Sequence, residues 1–138
     1  AKPGSATQEY LDAFKKYLPD GKAKAALGLQ AWSAWLLFAT AANQCGNDLT
    51  RKCVYDNART IKEWTGGGLH AAVDLSINKA PTCFTELLAS PSGFKVVSDL
   101  KPTEGIYRCD PKGVYTLTGD YGKGGTLADV GKSMADLK

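Results

Sequence analysis

The sequence predicts an α/β fold in which three helices precede short strands and two disulfides staple the chain. The first observation behind this is helical spacing of apolar residues as far as Trp64. The second is a change of character after Gly66-Gly67-Gly68, where short apolar runs alternate with Gly, Pro and Ser. The third is the cysteines. Cys45 and Cys53 flank a polar loop, while Cys83 and Cys109 lie before and within segments that read as strands. An even count without a Cys-x-x-Cys motif argues for disulfides and an oxidising compartment. Structural zinc is the competitor, but close Cys or Cys/His pairs are lacking and His70 is the only histidine. Four cysteines allow three pairings; their locality favours Cys45–Cys53 and Cys83–Cys109, each worth about 2–4 kcal/mol.

The elements follow in order. Ser5-Ala-Thr-Gln8 has the spacing of a capping box. Tyr10, Phe14, Tyr17 and Leu18 then recur at helical spacing until Pro19-Asp20-Gly21, with Glu9, Asp12, Lys15 and Lys16 outward. A second helix over about Ala31–Asn43 is apolar nearly all round, which demands burial between layers; residues 24–30 lead in as a short strand or loop. A third runs from Asp48 as N-cap to Trp64, with Val54, Ala58, Ile61 and Trp64 as its buried stripe and the three glycines as its stop. A Cys45–Cys53 bridge would staple the corner between these two helices, a structural role and not a redox one.

Residues 69–82 read as loop or short strands. Cys83–Leu88 is short and apolar, and Ser90-Pro-Ser-Gly93 turns. Phe94–Val97 and Gly105–Cys109 look like strands, with Asp110-Pro-Lys-Gly113 as a turn before Val114–Leu117. Residues 122–138 form a glycine-rich tail in which Leu127, Val130, Met134 and Leu137 suggest one terminal helix.

A chain of 138 residues, 43% apolar and 22% charged, fits one globular unit able to bury a core. The net charge of +3 is scattered, and no Lys/Arg run interleaves with aromatics, so no nucleic acid is implied. The opening Ala-Lys-Pro-Gly-Ser is no signal peptide; a leader removed or omitted, or a piece of a longer chain, would explain it. Ala25–Ala42 carries no charge and is just long enough to raise a membrane span. Gly28, Gln30, Ser33 and Thr40, with Asn43-Gln44 directly after, favour a core helix instead.

The search for catalytic chemistry yields little. No motif sets a nucleophile beside His70, so a hydrogen-bonding loop residue is expected there. Gly119–Thr126 fails as a phosphate loop because Gly125 stands where lysine is required. Gly66–Gly68 is no dinucleotide fingerprint, and Glu86 with Asp99 or Glu104 has no spacing that implies a shared site. Neither an enzyme nor a cofactor is expected. The aromatics hold more promise for binding. Trp35 and Phe38 read as core, while Trp32, expected in a helix's first turn beside Gln30 and Ser33, is placed to line a cleft.

One family shares this order of segments. The chain shows Tyr10-Leu-Asp-Ala-Phe-Lys-Lys-Tyr17, then Gly28-Leu-Gln-Ala-Trp-Ser-Ala-Trp-Leu-Leu37 and Ala41-Ala-Asn-Gln-Cys-Gly46. A short helix, Trp64-Thr-Gly-Gly-Gly-Leu-His70 and a strand region follow. Over residues 5–121 this resembles the C-terminal part of the type I periplasmic binding proteins, the receptors of branched-chain amino-acid ABC importers. It is most similar to actinobacterial forms with extra cysteine pairs, and 28–70 is the best stretch.

The resemblance implies two α/β lobes joined by three crossing strands, closing by a hinge on a small solute. Residues 1–121 would supply lobe helices and returning strands, and 122–138 the tail. The family's cleft-facing loop-to-helix junction would fall at Leu29, Gln30 and Trp32. The implied partners are an amino-acid-like solute, the missing N-terminal part of the receptor with its Ser/Thr-rich ligand loop, and an ABC permease. The implied location is extracellular, after export. The competing expectations are a stand-alone, disulfide-stapled, secreted protein-binding module and an exported hydrolase using His70.

Overall fold

A computed structural model describes residues 2–77, 79–97, 99, 101–115, 117–120, 122 and 124–136. Three helices come first, α1 (Ala6–Tyr17), α2 (Ala26–Asn43) and α3 (Arg51–Thr60). Among the described residues the short strands β1 (Cys83–Phe84), β2 (Leu87–Ser90), β3 (Gly93–Val96) and β4 (Arg108–Cys109) follow. The fold is mixed α/β, and the strand pairing among the described residues is antiparallel, β1 with β4 and β2 with β3.

Helix α1 starts where its cap chemistry says it should. Ser5 Oγ accepts the N–H of Gln8 at 3.3 Å, satisfying one orphan donor of the first turn. The Gln8 side chain donates forward to Asp12, 2.8 Å away, so it does not complete the expected box. Tyr10, at 1% exposure, is the centre of the packing between α1 and α2. Its hydroxyl donates to the Ala23 carbonyl at 2.8 Å and its ring meets Trp32 edge-on with centroids 5.7 Å apart. Gly28 makes this approach possible: a Cβ there would lie 2.7 Å from the Tyr10 hydroxyl.

Two expectations about α2 need correction. The helix begins at Ala26, so residues 26–30 are helical and not a strand or loop. Its N-cap, Ala25, has no side chain to announce the start. The helix is also not enclosed. Ser33 and Ala41 are buried, but Trp35 is 70% and Phe38 46% exposed, because no second layer covers that face among the described residues. No helix among the described residues is long and apolar enough to cross a membrane.

Helix α3 is shorter than its periodicity suggests. Thr50, not Asp48, is the N-cap, its side chain accepting the Cys53 N–H at 3.1 Å. The helix stops at Thr60, well before the glycines, because the following residues are taken up by extended pairing. Trp64 and Val73 exchange backbone hydrogen bonds, and the Leu75 N–H reaches the Ile61 carbonyl at 3.0 Å. Val54, Ala58, Ile61 and Trp64 are each half-buried.

Both disulfides form as the spacing suggests, Cys45–Cys53 and Cys83–Cys109. The second joins residues that are direct partners in the β1–β4 ladder. Beyond it the chain departs from expectation. Asp110 caps a single 3-10 turn, Pro111–Gly113, and Val114, Tyr115 and Leu117 lie outside any strand. The expected terminal helix is two separate 3-10 turns, Leu127–Val130 and Met134–Asp136, parted by Gly131 in the left-handed conformation; Leu137 lies outside the described residues.

Candidate functional site

The three residues expected to face a ligand all lie within the first two turns of α2, none at a loop-to-helix junction. Gln30 is exposed, Leu29 half-buried, and Trp32 half-buried with its ring against Tyr10. The correction to Trp32 follows from the earlier helix start, which moves it from the first turn to the second. Gln30 is the one of the three that presents an open polar side chain.

A polar cluster around a buried serine lies one residue further on and was not foreseen. Ser33, at 6% exposure, accepts the indole N–H of Trp64 at 3.0 Å and sits 2.8 Å from His70 Nε2. His70 Nδ1 lies 2.9 Å from the Ala71 carbonyl. A carbonyl can only accept, so Nδ1 carries the proton of the neutral ring, and Nε2 accepts from the Ser33 hydroxyl. The result is a directional chain, Trp64 to Ser33 to His70 to Ala71, in which each group is satisfied.

A serine beside a histidine whose other nitrogen is fixed has the outline of an activated nucleophile. A Cβ on Gly66 would lie 2.7 Å from Ser33 Oγ and 3.0 Å from His70 Nε2, so this residue already lies close against the pair. Gly66 is buried and adopts φ +63, a conformation suited to glycine. Gly66 packs against one side of the pair, and the cluster acts as a pin between α2 and the 64–73 segment. Only the tertiary contact across 37 residues reveals it.

Open clefts lie elsewhere. One of about 470 Å³ runs between α2 and α3, lined by Phe38, Leu49, Thr50, Arg51, Val54 and Tyr55. Trp35 continues this apolar face, with its ring edge-to-face on Phe38 at 5.5 Å. A second, about 410 Å³, is lined by Phe84, Glu86, Asp99, Arg108 and Asp110, so the fold brings Glu86 and Asp99 together although their spacing gives no hint of it. A third, about 330 Å³, opens beside the Cys45–Cys53 bridge, where Asp48, Thr50, Lys52, Cys53, Asp56 and Asn57 line it.

Two carboxyl groups are held below their ordinary range by local donors. The Ser76 hydroxyl and then its N–H do this for Asp74, with Lys62 assisting. The Thr126 N–H and then its hydroxyl do it for Asp129. Both are turn-forming contacts, and neither carboxylate belongs to the clefts described above.

No family model matches this chain, and no curated protein or solved structure matches it.

Proposed function

We propose that this chain is the C-terminal part of an exported, non-catalytic solute-binding receptor serving an ABC importer. The observation that carries the reading is the uncovered apolar face of α2 and α3, within the very stretch, 28–70, that bears the resemblance. A helix layer that exposes Trp35, Phe38 and Leu49 suits a piece of a larger lobe better than a finished domain. The finer expectation, a type I two-lobe fold, belongs to this proposal. So do the permease and the missing receptor part as partners, with an amino acid or related small molecule as solute. Two disulfides suit an oxidising location outside the cell.

In this reading Gln30 contacts the solute, and Leu29 and Trp32 shape the wall behind it. Calorimetric titration of the receptor containing this chain with the common amino acids and small carboxylates tests it. The expected result is saturable binding of one chemical class, weakened at least about tenfold, or about 1.4 kcal/mol, by Gln30→Ala. A well-folded receptor that binds none of them would overturn the reading. The second reading, a secreted protein-binding module, draws on the exposed Trp35–Phe38 pair. It predicts a folded, self-sufficient chain of this length.

A further inference from the structure

The two disulfides sit in opposite electrostatic settings. We propose that Cys45–Cys53 is a thiol-exchangeable bridge, opened by attack at Cys45 with Cys53 as the leaving thiolate. Cys45 directly follows the C-cap of α2, and its sulfur lies 3.5 Å from the Ala41 carbonyl, at the negative end of an 18-residue helix. Cys53 is in the first turn of α3, at the positive end, and that turn carries Arg51 and Lys52 but no acid. The bridge therefore spans a gradient that disfavours charge on one sulfur and favours it on the other.

Asn57, one turn along α3, adds a specific donor. Its amide nitrogen lies 3.3 Å from Cys45 Sγ, 3.4 Å from Cys53 Sγ and 3.2 Å from the Ala41 carbonyl. Sulfur is a weak acceptor beside that carbonyl, and either sulfur would draw the amide N–H more strongly once it became an anion. Around the third cleft Lys52 and Asp56 pair and offset one another, which leaves Arg51 and the N-terminus of α3 favouring the thiolate and Asp48 as the opposing carboxylate. The cleft gives an incoming thiol access beside the bridge, and both cysteines are half-buried rather than enclosed. Cys83–Cys109 is half-buried too, but its electrostatic setting differs. Its two cysteines belong to strands β1 and β4 and not to an α-helix, and the Glu104 carboxylate, 3.5 Å from Cys109 Sγ, opposes a thiolate there.

The chemistry balances with a dithiol as the co-reactant. Its thiolate forms a bond to Cys45 Sγ while the Cys45–Cys53 bond breaks and the electron pair passes to Cys53 Sγ. The second thiol of the reductant then displaces Cys45, which takes a proton from water. The dithiol becomes a disulfide, and the bridge becomes two cysteines at a loosened α2–α3 corner.

Limiting dithiothreitol followed by alkylation and peptide mapping tests this. Cys45–Cys53 is expected to open at least about tenfold faster than Cys83–Cys109. Glutathione in place of dithiothreitol is expected to be trapped on Cys45. With Cys45→Ser and Cys53→Ser prepared separately, the remaining Cys53 thiol is expected to alkylate about tenfold faster at neutral pH than the remaining Cys45 thiol. Asn57→Ala is expected to slow opening of the first bridge several-fold and leave the second unchanged. Equal opening rates, a glutathione adduct on Cys53, or faster alkylation of Cys45 would overturn the proposal.

Discussion

The helical half and the strand half of this chain are built on different principles. Residues 5–77 contain every buried large side chain among the described residues, together with Ser33 and the pin it forms with Trp64 and His70. Residues 79–136 contain two two-stranded ladders, one disulfide and several capped turns, with no side chain fully buried among those described. In the β2–β3 hairpin, Leu87 pairs with Val96 and Ala89 with Phe94 on one face, and all four are exposed. A two-stranded hairpin is marginal in water unless something packs on it. The difference teaches that cross-links and caps set the path of the second half, whereas burial sets the path of the first.

Truncations separate the halves most sharply. Tyr10→Ala removes the buried ring between α1 and α2, along with its hydrogen bond to Ala23, and is expected to cost about 3–5 kcal/mol. Phe94→Ala, in the hairpin, is expected to change the stability of the same protein by less than about 0.5 kcal/mol. Urea unfolding of both variants is the check, and equal costs would break the distinction. Removing the second bridge by the paired changes Cys83→Ala and Cys109→Ala is expected to cost about 2–4 kcal/mol. Hydrogen exchange should show that loss in residues 79–115 while α1 and α2 keep their protection; loss of protection in α2 would show that the halves are coupled.

The first half was legible in the sequence wherever its signals were local. Ser5 marks the start of α1, and the spacing of the cysteines anticipates both bridges. Where a signal was absent or tertiary, the reading failed. Ala25 offers no capping side chain, and Gly28 looks like a breaker although it is there to admit Tyr10, so α2 appeared to begin late. The end of α3 depends on pairing with residues 73–75, and helical periodicity cannot reveal it. Ser33 reads as a weak polar interruption of an apolar helix, and only the return of the chain to His70 gives it a role. The exposure of Trp35 and Phe38 was the largest surprise, since composition alone demands their burial.

Smaller effects sharpen the comparison further. Ser33→Ala leaves the Trp64 indole N–H and the His70 ring without their shared partner, and is expected to cost about 1–3 kcal/mol. Thermal unfolding followed by tryptophan fluorescence reads it; an unchanged midpoint would mean the pin is idle. The smallest effect is a pH dependence. Because the folded chain holds Asp74 below its ordinary value, its contribution is complete above that value and is lost as pH falls through the depressed one. Asp74→Asn should therefore flatten part of the acid limb of the stability profile. Asp129→Asn, in the tail, should alter only the local turn at Thr126.

The central claim is that the apolar α2–α3 face is covered, in the working protein, by the rest of a receptor. Native and then denaturing mass spectrometry of the protein as its source produces it tests this most directly. The account predicts that this sequence occurs within a larger species, as one longer polypeptide or as a complex that separates only on denaturation. A single monomeric species of 14.7 kDa that melts cooperatively and binds no apolar dye would contradict it.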